Sequence, residues 1–357
     1  MLKFGLTKDI DVWPIFFPFQ AGWSFLPSGA ELVEGTANEN QARLLAGEVD
    51  VALITPLAYA QNQQALYLLP TPVRASDLSS DAITIISKKR PDQFEKPVVA
   101  GGPSSQMGQV LLKLVGSRYF GFEPEFKAVE SEAVALESLN NGSDICILSG
   151  EAALKASQAA LARGYFAEDL TKAWWILTGV PLPLGLFGLR RQWVEAHQSE
   201  AEGLIRKLIQ SLRTALQHSR EQQDTLCEQA AQQSGLDIAA LEIHFRQQRY
   251  ELREMQLRGL FEFYRRAADV GLSPAVKDLA LFPELSDNSK AAAAPALKAL
   301  TPLETLPTSN QNSKNRNVPR EQAPDLRVIK GGKADKSAPA KPKQPIKPKE
   351  VIDTNEE

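Results

Sequence analysis

Residues 47–60 read GEVDVALITPLAYA. The run Val49–Ile54 has the short, β-branched, apolar character of a buried strand, and Thr55-Pro56 closes it. Pro56 falls near the first position of a helix opening at Leu57–Ala60, where its missing N–H costs nothing. Upstream, Asn38–Ala46 has a helical pattern with Gly47 positioned as its stop. Helix, strand and helix in quick succession predict a sheet covered by helices.

The same alternation extends in both directions. Leu2–Leu6, Ala30–Val33, Ala82–Ser87, Pro97–Ala100, Glu125–Val129 and Asp144–Leu148 read as further short strands. Gln106–Phe120, Glu151–Arg163 and Asp169–Leu177 read as helices between or after them. The class is α/β with a mostly parallel sheet. After the apolar run Pro181–Leu189 only helices follow. Leu204, Leu208, Leu212 and Leu216 form one stripe in Ala201–His218, and Asp237–Phe245 and Glu251–Val270 complete the set.

The chain has 357 residues, 43% of them apolar, enough for a sizeable core and against a wholly disordered protein. From Lys290 to Glu357 there are 13 lysines and arginines against 8 acidic residues, so the tail is basic and the body acidic. This tail has no aromatic residue and holds 9 of the 23 prolines, so it is expected to be disordered. Its Lys336–Lys349 stretch suits a spacer, or an arm for an acidic partner, and without interleaved aromatics it offers no base-specific nucleic-acid reading. Two cysteines make neither a disulfide framework nor a zinc site. No apolar run spans a bilayer, and Lys8 and Asp9 interrupt any leader after Lys3, which points to a cytoplasmic protein.

The most informative local feature is Pro97–Leu112, read as strand PVVA, loop GGPSS and helix QMGQVLL. Gly101 and Gly102 allow close backbone approach, and Ser104 or Ser105 can cap the helix beginning at Gln106 and leave N–H groups free for a carboxylate or phosphate. The competing reading is a plain strand–helix turn. Thr55 and Ser149, each at a strand exit, are placed either to bind a ligand or to cap a helix. Lys8, Asp9 and Asp11 follow the first strand, where they either serve a site or are simply solvated. His197, His218 and His244 all lie in the helical C-terminal part, so no triad base is evident. Cys146 and Cys227 read as packing residues, and no metal-binding spacing occurs. Trp174-Trp175 reads as core and interface packing.

Four segments together resemble the chorismate dehydratase family of the futalosine route to menaquinone. They are ELVEGTANENQARLLAGEVDVALITPLAYA at 31–60, LLPTPVRASD at 68–77, DLTKAWWILTGVPLPLGLFGLRR at 169–191 and ELREMQLRGLFEFYRRAADVGL at 251–272. The resemblance implies a two-lobed type II periplasmic-binding-protein-like fold. The first lobe would hold 1–88 and 179–285, the second 89–178, and the tail 286–357, with crossings near Ser87–Pro91 and Thr178–Pro183. It also implies loss of water from chorismate to give 3-enolpyruvylbenzoate, with no metal or organic cofactor. The substrate would be a small anionic carboxylate, gripped by Gly102, Ser104, Ser105, Gln106 and Ser149, with Thr55 and a catalytic Asp11 facing the ring.

The sequence departs from the family at three places in this site. Lys8–Asp11 (KDID) stands where the family typically has SYLN, so Asp11 replaces an amide by an acceptor-only carboxylate. Ionised, it repels a dianion unless Lys8 offsets it or burial raises its pKa. Ala82 falls where the family has a ligand-facing serine, and Ser104–Met107 replaces Ser-Arg-Thr-Ser. These changes keep a second reading open, a binding or sensor protein without turnover. The sister enzyme of the same route is disfavoured because its Pro-Asn-Asp-Thr run is missing.

Overall fold

The computed structural model describes residues 1–283. The expected tail from 286 onward, with its disorder and its acidic partner, lies outside the described residues. The chain begins with β1 (Leu2–Thr7), α1 (Trp13–Gln20), β2 (Ala30–Gly35), α2 (Ala37–Ala46), β3 (Val51–Ile54), α3 (Pro56–Asn62) and β4 (Leu66–Ser76). It continues through β5 (Ile83–Ser87), β6 (Val98–Gly101), α4 (Gln106–Val115), β7 (Glu125–Ala128), α5 (Glu132–Glu137), β8 (Ile145–Ser149), α6 (Gly150–Ala160), β9 (Phe166–Asp169) and α7 (Leu170–Thr178). It closes with β10 (Gly185–Arg190), α8 (Arg191–Ala196), α9 (Ala201–Glu221), α10 (Gln223–Ser234), α11 (Ile238–Gln247), β11 (Gln248–Arg249) and α12 (Glu254–Asp269).

These strands make two sheets, ordered β11-β4-β10-β3-β1-β2 and β7-β6-β8-β5-β9. The sheets are mixed rather than mostly parallel. β10 runs antiparallel to both β3 and β4, and β5 runs antiparallel to both β8 and β9. Apolar runs alone do not encode strand direction, which the length of each connection decides. The sheet membership of β5 also moves the first crossing. It occupies residues 77–82, ahead of Ile83, rather than the expected Ser87–Pro91. There Asp169, the cap of α7, accepts the backbone N–H groups of Ser80 and Asp81 at 2.9 and 3.1 Å, tying the first crossing to the helix that precedes the second.

The local signals around residues 47–60 hold. Thr36 and Glu39 form a reciprocal cap on α2, which ends at Gly47 with φ 84°. The Thr55 hydroxyl accepts the Ala58 N–H at 3.1 Å and caps α3, with Pro56 in its first turn. The first sheet packs on α1 and α9, where Phe4, Phe16 and Phe187 meet Leu208 and Leu212 in one core. Each such side chain, fully buried, contributes roughly 1.5–3 kcal/mol. The leucine stripe of α9 thus faces this core, with Leu204 partly buried at its edge. A second core joins the two sheets through α12, whose Phe263 meets the fully buried Trp174 edge-on. Its neighbour Trp175 is partly exposed. Cys146 and Cys227 are both buried, in β8 and α10. Among the described residues no helix is long and apolar enough to cross a membrane.

Candidate functional site

A cleft of about 410 Å³ opens between the sheets at the exits of β1, β3, β6 and β8. Strand exits of α/β sheets collect ligands because loops diverge there and helix N-termini converge. Of the residues singled out in the sequence, Asp11, Thr55, Ser104 and Ser149 line it, together with Asp9 and Ala82. Gly102, Ser105 and Gln106 do not.

The Gly101–Ser105 turn is not the open anion cradle its sequence suggests. Glu132, from the first turn of α5, places its carboxylate there, accepting the backbone N–H of Ser104 at 3.2 Å and the Ser104 hydroxyl as well. The Ser105 hydroxyl is fully buried and donates to the Gly102 carbonyl at 2.6 Å, so neither serine side chain caps α4. Gly102 is enclosed by Ser131 and Glu132, and Gln106 is exposed. An acid 28 residues downstream has taken the donors that local sequence shows as free, a contact the turn itself does not reveal.

The floor of the cleft holds a buried ion pair. Arg74 Nη2 lies 2.9 Å from Asp11 Oδ2, and each side chain is at most 10% exposed. Lys8 does not offset Asp11; it pairs instead with Glu34 at 2.5 Å on the surface. Arg74 comes from β4, a strand with Pro70 and Pro72 inside an irregularity where pairing with β10 jumps from Val73 to Leu68. Bulges of this kind re-aim side chains beside sites. The Arg74 Nε–H has no hydrogen-bond partner among the described residues, and neither has the Ser149 hydroxyl. Both atoms are buried in the wall of the cleft.

Asp9 is the second acid. Its Oδ2 accepts the Ala37 N–H at 2.7 Å, at the N-terminus of α2. Burial, then the neighbouring Asp11 charge, raise its pKa to about 6 in spite of that bond. Glu151 also lines the cleft and pairs with Lys155 at 2.6 Å. Thr55 is engaged on both sides, since its hydroxyl accepts from Ala58 and donates to Gln41 Oε1 at 3.3 Å. It therefore caps α3.

Behind Asp11 lies a group that chain position hides. His244 from α11 is buried, and the Gln248 side-chain amide bridges His244 Nε2 at 2.9 Å and the Asp11 carbonyl at 2.6 Å. Burial and the Arg74 charge push His244 down to about 4, so the ring is neutral at pH 7 and braces the loop rather than titrating there. His197 stacks on Trp193 and His218 bonds the Ser24 hydroxyl at 2.9 Å, both far from the cleft chemistry. Among the described residues no group of three His, Cys, Asp or Glu side chains is placed to hold a metal ion.

Comparison with known families decides the affiliation. Residues 2–269 match the family described as menaquinone biosynthesis. The chain belongs to that family. No curated protein matches it in sequence. Among solved structures, this family member is similar to protein AF1704 from Archaeoglobus fulgidus, at 20% identity and TM-score 0.60, covering 76% of this chain and 98% of that one. It is similar as well to the Candida albicans CA3427 product, described as having the generic periplasmic binding protein fold, at 14% identity and TM-score 0.56, covering 84% and 94%. A third is the alkanesulfonate-binding protein SsuA from Xanthomonas axonopodis pv. citri bound to MOPS, at 14% identity and TM-score 0.55, covering 76% and 94%. At these identities the likeness establishes the fold, that of periplasmic binding proteins.

Proposed function

We propose that this family member is a lyase that removes water from chorismate to give 3-enolpyruvylbenzoate, using groups of its own chain. The observation that carries the reading is the pairing, in one cleft, of an arginine with a free N–H and an acid whose pKa is raised to about 6. Arg74 takes one substrate carboxylate through Nε–H and Nη2–H, a planar fork suited to that group, and Asp11 holds the fork in place. Asp9 is the proton carrier. A carboxylate with a pKa near 6 is a stronger base than an ordinary one and is still mostly ionised at pH 7. It removes the ring proton from the carbon bearing the enolpyruvyl ether. The resulting carboxylic acid protonates the departing ring hydroxyl, so water leaves, the ring becomes aromatic and Asp9 is regenerated. The Ser149 hydroxyl is available to donate to charge developing on the substrate.

This assignment shifts the catalytic role from Asp11, whose carboxylate is ion-paired at the floor, to Asp9 beside it. It also reduces the carboxylate-binding set to Arg74, Ser149 and, once Glu132 moves aside, the Ser104 N–H. That last condition supports a second reading. Glu132 and Glu151 face a cleft with Arg74 as its lining cation, which opposes a dianion and favours binding without turnover of a ligand with one carboxylate.

Purified full-length protein incubated with chorismate distinguishes the two. Formation of the enolpyruvylbenzoate supports the lyase, and Glu132→Gln, which removes a like charge, is then expected to lower KM several-fold with little change in kcat. Thermal stabilisation by a monocarboxylate such as benzoate, with no turnover of chorismate, supports the binding protein, because stabilisation reports affinity for the folded state. Neither product nor stabilisation contradicts both readings.

A further inference from the structure

A second cavity, about 470 Å³, lies on the far side of the Asp11 loop and shares no lining residue with the cleft. Arg220 near the end of α9, Arg246 in α11, Arg249 in β11 and Arg253 at the start of α12 converge on it from four elements. Arg249 pairs with Asp77 at 2.7 Å, and Arg253 donates to Glu251 at 2.6 Å. Arg246 is 4.0 Å from Glu242, and Arg220 makes no ion pair among the described residues. Of the six charges that line the cavity, two arginines are thus left without an acid in it. The floor is apolar, formed by Leu216, Leu226 and Phe245. At its wall Gln256, 6% exposed, has an Oε1 with no partner among the described residues.

We propose that this cavity binds a small, doubly charged organic anion with an apolar body, such as an aryl phosphate monoester or an aryl dicarboxylate. Arginines on an exposed face ordinarily spread into water, where each is fully hydrated and repulsion between neighbours is relieved. Here four share one concave surface above an apolar floor, and the uncompensated pair matches a dianionic head while Leu216, Leu226 and Phe245 receive the ring. Gln256 Oε1 is an acceptor and takes no bond from a fully ionised head, so the anion is held by the arginines. Tyr250, also lining the cavity, donates to Gln248 at 2.8 Å, and Gln248 in turn donates to the Asp11 carbonyl. The pocket therefore shares a wall with the cleft and has its own charge.

Calorimetric titration of the full chain at low ionic strength with phenyl phosphate, isophthalate and benzyl alcohol tests the proposal. Binding of either anion, absent for the alcohol and weakened by added salt, is the expected result. Which anion binds more tightly tells a phosphate head from a dicarboxylate. In the double variant Arg220→Gln/Arg246→Gln, both sites exposed, the dissociation constant should rise at least about tenfold with an unchanged melting temperature. Should that variant not fold, Arg220→Gln alone should raise it several-fold. Binding of neither anion, equal binding of the alcohol, or affinity undiminished by the arginine substitutions, as a cleft-bound anion would give, overturns it.

Discussion

Asp11→Asn is expected to destabilise the protein by about 3–5 kcal/mol, although the two side chains are nearly the same size. The amide keeps the shape but removes the charge that Arg74 meets 2.9 Å away, and the Arg74 side chain, 10% exposed, is left without its counter-charge. Breaking one side of a buried pair leaves the other charge uncompensated, which is why the single change costs far more than the pair itself is worth. The double variant Asp11→Asn/Arg74→Gln removes both charges and should recover most of the loss. Urea unfolding of the wild type, the two single variants and the double variant measures the coupling directly. A midpoint for Asp11→Asn within error of wild type would mean that the pair is solvated. The result also bears on the family difference at this position. Asparagine in the SYLN stretch needs no cation below it, whereas aspartate here comes with one.

Gly259→Ala should be nearly as damaging, for a steric reason. Gly259 sits in the middle of α12, where alanine would ordinarily gain about 1 kcal/mol of helix propensity. A Cβ at this position, however, would overlap the carbonyl oxygen of Pro181, and it would lie 2.8 Å from the Pro181 carbonyl carbon. The neighbour is backbone in the second crossing between the sheets and cannot swing away like a side chain. Overpacking of this kind costs typically about 1–3 kcal/mol, and backbone contact places this site at the upper end or beyond. Gly203→Ala is the matched control. It lies in α9 with open space around its Cβ position and should be neutral or slightly stabilising. Thermal unfolding of both variants checks the pair of expectations, and equal melting temperatures would contradict the tight helix-to-crossing contact.

The parts of the fold legible in the sequence are those set by neighbours in the chain. The strand Val51–Ile54, the Thr55 cap, the Thr36–Glu39 box and the Gly47 stop are each decided within a few residues, and each stands in the structure. β4 escaped the strand reading because Pro70 and Pro72 interrupt its pattern, and those prolines occupy the irregularity in its ladder. α1 has no counterpart in the sequence pattern either, with Pro14 and Pro18 inside it. For the site, Asp11, Thr55, Ser104 and Ser149 stand out from their place at strand exits, and all four line the cleft. Their partners were not legible. Arg74 under Asp11, Glu132 on Ser104 and His244 behind the loop are separated from them by 28 to 233 residues, and only the tertiary fold joins them. The raised pKa of Asp9 is likewise a product of burial and of Asp11, which no spacing in KDID encodes.

In the proposed reaction Asp9 carries the proton while Arg74 holds a carboxylate, and the pH dependence of turnover tests the role of Asp9 most directly. The Asp9 pKa of about 6 lies above the ordinary carboxylate value, and the ionised form is the base, so kcat/KM for chorismate should rise with pH through about 6 and level off above it. Asp9→Asn keeps the hydrogen-bonding shape but cannot take a proton. It should lower the plateau at least about 100-fold and abolish the limb. A variant that turns chorismate over at the wild-type rate, or a wild-type profile flat from pH 5 to 8, would contradict the assignment of Asp9 as the base.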